Sequence, residues 1–238
     1  MTLKPVQHAL LLGALLGLSA CGDSSSVDGF AAEPPLETPQ ARLDDALVCT
    51  PFENPDKPPV LLVHGTLTAG YEQFEWTYLP LLVERGFDVC FVTYPDRGLN
   101  DMQISAEYVV NALRRMHADS GRKVAMIGHS QGATMPRWAL KWWPSARDAV
   151  DDFVLLAGPN HGTTVSDNNP LNLVPELELP GLGIPGALFQ FKTDSQFIAA
   201  LNAGDETPGN IDYTSLYTVF DELVQPAQPV ATAALDVG

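Results

Sequence analysis

Basic side chains are scarce: 13 Lys and Arg stand against 29 Asp and Glu, for a formal net charge of −16. Phosphate backbones are held by clustered Lys and Arg, so nucleic acid is excluded as a partner. The acidity keeps a surface soluble and self-repelling, and names no substrate. Long apolar runs are lacking too. The stretch that most resembles a membrane span, Ala9–Ala20, has 12 residues, well short of the ~20 that a helix needs to cross a bilayer. No internal repeat is visible, which argues against a solenoid. What is present is apolar material: 45% of 238 residues are hydrophobic, enough for one domain with a sizeable core and too little for two.

The Ala9–Ala20 run follows Lys4 and is read as a signal-peptide core,. Leu18, Ser19, Ala20 and Cys21 resemble the site at which bacterial lipoproteins are diacylated on Cys and cleaved just before it,. Residues 1–20 are thus expected to be a lipoprotein signal, with Cys21 as the lipidated mature N-terminus. An ordinary secretory signal is the alternative. Residues 21–40, rich in Ser, Pro and acids, bury too little apolar surface to offset their ordering entropy and are expected to be a flexible tether,. The folded domain is expected over 41–238, held at the bacterial cell envelope by the anchor, or else secreted.

From there strands alternate with helices. Pro59–Gly65 and Asp88–Tyr94 read as strands buried on both faces, with a helix over Tyr78–Arg85 between them,. A 3.6-residue apolar stripe predicts a helix over Asp101–Ala118, opened by an Asn100 or Asp101 cap and closed by Gly121,. Lys123–Ile127 is a further strand, followed by a helix over 131–143 stopped at Pro144. Asp152–Ala157 and Ser215–Val219 supply two more strands. This alternation predicts an α/β fold: a mostly parallel sheet with helices on both faces and the site at the carboxyl ends of the strands.

Gly128, His129, Ser130, Gln131 and Gly132 spell G-x-S-x-G between a predicted strand and a predicted helix, the context of a nucleophile elbow,. The turn is too sharp for side chains at 128 and 132, and it presents Ser130 at a helix N-terminus. Acyl transfer also needs donors for the developing oxyanion. Gln131 offers a backbone N–H there, and Thr66, in the loop after the Pro59–Gly65 strand, offers an N–H and a hydroxyl. A Thr that merely caps a turn is the alternative for Thr66.

The segments PVLLVHGTLTAG, LNDMQISAEYVVNALRRMHADSG, SQGATMPRWALKWWPSARDAVD and SLYTVFDELVQP resemble, in order, α/β-hydrolase lipases of the Candida antarctica lipase B type, over most of 49–226. The resemblance implies a serine carboxylesterase or lipase acting on ester or lipid substrates, with Ser130 as nucleophile, Thr66 and Gln131 as oxyanion donors and Asp221 as the triad acid. The Ser–acid–His order of the fold agrees with Asp221, although a surface carboxylate would look the same. The resemblance also implies a Cys49–Cys90 disulfide, which an exported protein is placed to form; two reduced thiols are the alternative. No metal or organic cofactor is implied.

The chain departs from the fungal pattern at His64, where that pattern has Pro, at Gly128, which it lacks, and at Asn160, where it has Asp. Residues 163–191, apolar and broken by Pro and Gly, are read as a cover over the acyl pocket, either a mobile lid or a packed excursion,. The five histidines, His8, His64, His117, His129 and His161, all precede Asp221. The expectation is therefore a hydrolase domain lacking its last strand and the loop that carries the catalytic His. A non-catalytic, hydrolase-like binding lipoprotein is the rival reading, and His161 is the one alternative base.

Overall fold

A computed structural model describes residues 33–173, 185–228 and 231–236. The expected signal segment, Cys21 and most of the tether lie outside these residues, as do 174–184 of the apolar stretch. In chain order the elements are α1 (Gln40–Asp45), β1 (Leu47–Cys49), β2 (Val60–Val63), α2 (Gly70–Phe74), α3 (Tyr78–Glu84), β3 (Val89–Val92), a 3-10 turn at Asp96–Gly98, α4 (Met102–Ser120), β4 (Val124–His129), α5 (Gln131–Trp142), α6 (Pro144–Asp148), β5 (Val150–Leu156), α7 (Thr164–Asp167), a 3-10 turn at Pro170–Leu173, α8 (Gly186–Gln190), α9 (Gln196–Asn202) and β6 (Asp212–Leu216).

The strands form one sheet in the order β1-β3-β2-β4-β5-β6. Every pairing is parallel except that of β1 with β3. Alternation along β2 explains the two layers of helix. Leu61 and Val63 face a large core with Val109, Leu113 and Met116 of α4 and Ala133 and Leu140 of α5. Val60 and Leu62 face a smaller core with Phe74 of α2 and Leu79 and Leu82 of α3. All four β2 side chains are buried, each stabilising the fold by about 2 kcal/mol relative to exposure. From β2 the chain crosses to β3 on one side, and from β4 it runs to β5 and β6 on the other. Such a switch point opens a crevice at the carboxyl ends of the two central strands.

Several boundaries differ from expectation. Helix α4 does start at an Asp101 cap, whose carboxylate accepts from the Gln103 N–H at 2.8 Å, and ends at Gly121 with φ 66°. Helix α5 does stop before Pro144, one residue short of 143, with Trp143 in extended backbone; Pro144 then also opens α6. Strand β6 begins three residues earlier than Ser215 and leaves the sheet after Leu216, its last partner being Leu156. Strand β1 went unpredicted because three residues carry no readable period.

The domain also starts before residue 41. The Glu33 carboxylate accepts from Arg114 Nη2 at 2.7 Å and from the Ser145 backbone. Trp143 Nε1 donates to the Pro34 carbonyl at 2.8 Å, and the N–H groups of Glu37 and Thr38 donate to the Glu107 carboxylate. Residues 33–40, read as tether, are thus docked through polar bonds that apolar periodicity does not register. The implied disulfide is present: Cys49 and Cys90 lie directly opposite each other in β1 and β3 and are bonded. Among the described residues no helix is long and apolar enough to cross a membrane.

Candidate active site

Ser130 sits between β4 and α5 with φ 55° and ψ −119°. A side-chain-bearing residue held there stores ~1–3 kcal/mol of strain, so the surroundings must enforce it. They do so through the glycines. A Cβ on Gly128 would lie 1.7 Å from the Gly132 carbonyl oxygen, and one on Gly132 would lie 2.2 Å from that of Val63. The turn closes only with glycine at both positions. Gly65, in the loop after β2, faces the same turn; a Cβ there would be 3.2 Å from Ser130 Cβ.

That loop and the first residue of α5 present two uncommitted N–H groups. Gly65 N–H donates to Gln73 Oε1 at 3.0 Å and Leu67 N–H to the Arg97 carbonyl at 2.6 Å, which leaves Thr66 N–H unpaired among the described residues. Gln131 N–H is the first of its helix and has no intrahelical acceptor,. The side chains tie the two together. Thr66 Oγ1 donates to Gln131 Oε1 at 3.4 Å, and Gln131 Nε2 donates to the Gly98 carbonyl at 2.8 Å. Sequence reasoning missed Gly98, where a Cβ would stand 2.2 Å from Gln131 Oε1.

His64 supports the loop from below. It is fully buried and stacked on Tyr94 at 3.8 Å between ring centroids, and the Tyr94 hydroxyl donates to its carbonyl. Burial lowers its pKa to about 4, so the ring is neutral near pH 7, with Nδ1 bonded to the Gly65 carbonyl at 2.7 Å.

Asp221 follows β6. Its Oδ1 accepts from the N–H groups of Leu223 and Val224 at 2.9 and 2.8 Å, which fixes the carboxylate. The segment behind it is fastened to the cap of α7, where Thr163 Oγ1 donates to the Leu223 carbonyl at 2.6 Å. Partial burial lowers the pKa of His129, and the charge of Asp221 opposes that shift.

His161 is engaged elsewhere. Its Nε2 meets Glu206 Oε1 at 2.9 Å and its Nδ1 the Thr232 carbonyl at 3.2 Å. Both partners are acceptors, and the Glu206 hydrogen bond raises its pKa. Glu206 also lies 3.4 Å from the guanidinium of Arg137, itself buried in α5. This cluster gave no sequence signal, since Glu206 is 45 residues from His161. A mostly apolar cavity of about 450 Å³ lies beside it, lined by Thr193, Pro226, Thr232 and Leu235. Among the described residues no three His, Cys, Asp or Glu side chains converge as a metal site would require.

Residues 57–233 match the family described as Lipase (class 2). Lipase B of Pseudozyma antarctica is 33% identical over 208 residues, which cover 86% of this chain and 57% of that protein. The triacylglycerol lipase of Pseudomonas fragi is 26% identical over 157 residues, 64% of this chain and 50% of that one. Among solved structures, Aspergillus fumigatus lipase B superposes with a TM-score of 0.73 at 31% identity, covering 85% of this chain and 48% of its own. A mature Bacillus licheniformis lipase gives 0.56 at 24% identity, covering 70% and 69%, which speaks to the shared α/β-hydrolase fold. The chain spans about half the length of the curated relatives it matches. With this match across more than half of its length, on a sheet of the same fold, the chain belongs to the class 2 lipase family.

Proposed function

We propose that Ser130 is the nucleophile of a serine carboxylesterase or lipase acting on acyl esters. The observation that carries this reading is the strained Ser130 backbone at a helix N-terminus, flanked by the unpaired N–H groups of Thr66 and Gln131. Ser130 Oγ adds to the ester carbonyl while a histidine takes its proton. The carbonyl oxygen becomes an oxyanion that accepts from Thr66 and Gln131. Collapse expels the alcohol, which leaves with that proton, and water then releases the acid from the acyl-enzyme by the same route. Asp221 orients the histidine. In the Ser–acid–His order of this fold the base follows the acid, and none of the five histidines here does so,. His64 and His161 are bonded as described, and His117 Nδ1 is 2.8 Å from the Arg122 carbonyl. In that order the proposed base is a histidine that follows Asp221. Relatives named lipases and the apolar stretch 163–191 support a medium or long acyl chain. The lipobox at Cys21 supports an envelope protein held by a lipid anchor,.

The test is p-nitrophenyl butyrate hydrolysis by the protein expressed from its whole gene in cells fed labelled palmitate. Ser130→Ala should lower kcat by roughly 10³-fold or more, His161→Ala should leave most of it, and Cys21→Ser should lose the label. The 238-residue chain by itself should run near the Ser130→Ala background. Equal rates for wild type and Ser130→Ala would refute the enzyme reading in favour of a binding protein. Ser130-dependent activity of the 238-residue chain that vanishes in His161→Ala would make His161 the base.

A further inference from the structure

Two strained loops meet beside the carboxyl ends of β2 and β3. Leu67 has φ 64°, and Asp96 and Arg97 have φ 53° and 52°. Residues with side chains stay in this left-handed region only where surrounding contacts hold them. The contacts here are reciprocal. Leu67 N–H donates to the Arg97 carbonyl at 2.6 Å, and Arg97 Nε donates back to the Leu67 carbonyl at 3.2 Å. The guanidinium then forks onto Glu72 of α2, with Nη1 on Oε1 at 2.9 Å and Nη2 on Oε2 at 2.5 Å. The next residue, Gly98, accepts from Gln131 Nε2 at 2.8 Å. One short turn thus touches both residues that carry the unpaired N–H groups: Thr66 through its neighbour Leu67, and Gln131 through its side chain.

We infer that the Asp96–Gly98 turn, clamped by Arg97 on Glu72, is the positioning unit of the oxyanion pocket. This rests on the reading of Thr66 and Gln131 as oxyanion donors. Arg97 and Glu72 are positioning residues, since both act through the backbone of the 64–67 loop. Leu67 N–H lies in the peptide plane next to the one that carries Thr66 N–H, so release of Leu67 loosens one side of Thr66, while His64 Nδ1 holds the Gly65 carbonyl on the other. The clamp costs the substrate nothing in binding, because the oxyanion forms only after attack; its loss should appear in kcat and not in KM. Arg97 and Glu72 are 42% and 34% exposed, so salt screens their attraction. The aim of Thr66 should weaken with ionic strength, an effect that a purely apolar scaffold would lack.

The experiment compares Arg97→Gln, Glu72→Gln and Arg97→Lys in the whole gene product. The two Gln variants should lose about tenfold to hundredfold in kcat with KM nearly unchanged, as a displaced oxyanion donor predicts. Arg97→Lys, a point charge that cannot fork, should recover only part of the loss. Wild-type kcat should fall as NaCl rises from about 0.05 to 1 M, where the Debye length shrinks to ~3 Å, and Arg97→Gln should be flat. Arg115→Gln, which removes the Arg115–Asp44 ion pair between α4 and α1, should match wild type. Amide exchange on the 238-residue chain gives a readout free of catalysis: Leu67 N–H should exchange at least about tenfold faster in Arg97→Gln. Wild-type kcat in Arg97→Gln, or unchanged Leu67 exchange, overturns the proposal. Should Ser130→Ala match wild type, the esterase reading fails by itself and the exchange result alone decides the clamp.

Discussion

Protons on His64 and His161 should pull stability in opposite directions. His64 is enclosed, with its pKa lowered by burial to about 4. The unfolded chain binds that proton below pH ~6.5, so folding stability should drop by up to ~3 kcal/mol as pH falls from 6.5 toward 4. His161 has a raised pKa, chiefly from the Glu206 hydrogen bond. Its contribution is complete below the unfolded value and is lost as pH rises through the folded one. Urea unfolding between pH 4.5 and 9 checks both: His64→Asn should flatten the acid limb, whereas His161→Gln should cost most near pH 5.5 and least near pH 9. Acid loss that persists unchanged in His64→Asn would place its origin in carboxylates such as Asp88, whose pKa is lowered despite burial, with Arg122 and Asn54 as partners. Sequence alone made His161 the one alternative base, but its partners Glu206 and Arg137 come from distant elements and show no spacing.

The elements differ in how far local rules specify them. The β4–Ser130–α5 turn was legible because its requirement is local: two glycines, a serine and a helix start within five residues. Helix α4 was legible to within two residues, for its cap and its Gly121 stop are local as well. Strand β6 was misplaced because the apolar run Leu216–Phe220 continues past the point where pairing with β5 ends, and those residues are exposed. The cystine pairing came from family likeness, since spacing could not have given it; the structure explains it by the antiparallel register of β1 on β3. The link spans a separation of 41 residues, worth ~4 kcal/mol by loop entropy. The Cys49→Ser, Cys90→Ser double variant should lose about 3–4 kcal/mol in denaturant unfolding, and non-reducing peptide mapping of the parent should recover both cysteines in one fragment. A loss near zero would mean that β1 is held by its hydrogen bonds alone.

At the scale of the molecule, fold class and the catalytic end of the sheet followed from alternating strands and helices, whereas the docking of residues 33–40 and the Asp96–Gly98 turn rest on polar contacts between segments far apart in sequence. One feature of the sheet bears on how the protein behaves at high concentration. Among the described residues β6 has a single strand neighbour, β5, and so is an edge of the sheet. The strand runs into Ser215–Phe220, SLYTVF, with no charge, proline or glycine. Such an edge is a template for intermolecular pairing, and natural sheets usually blunt it with lysine or proline. The 238-residue chain should therefore self-associate through this margin, with light scattering that grows with concentration despite a net charge of −16. Lysine placed at exposed Thr214 (Thr214→Lys) should suppress the scattering while leaving the melting temperature unchanged; if it does not, aggregation starts elsewhere.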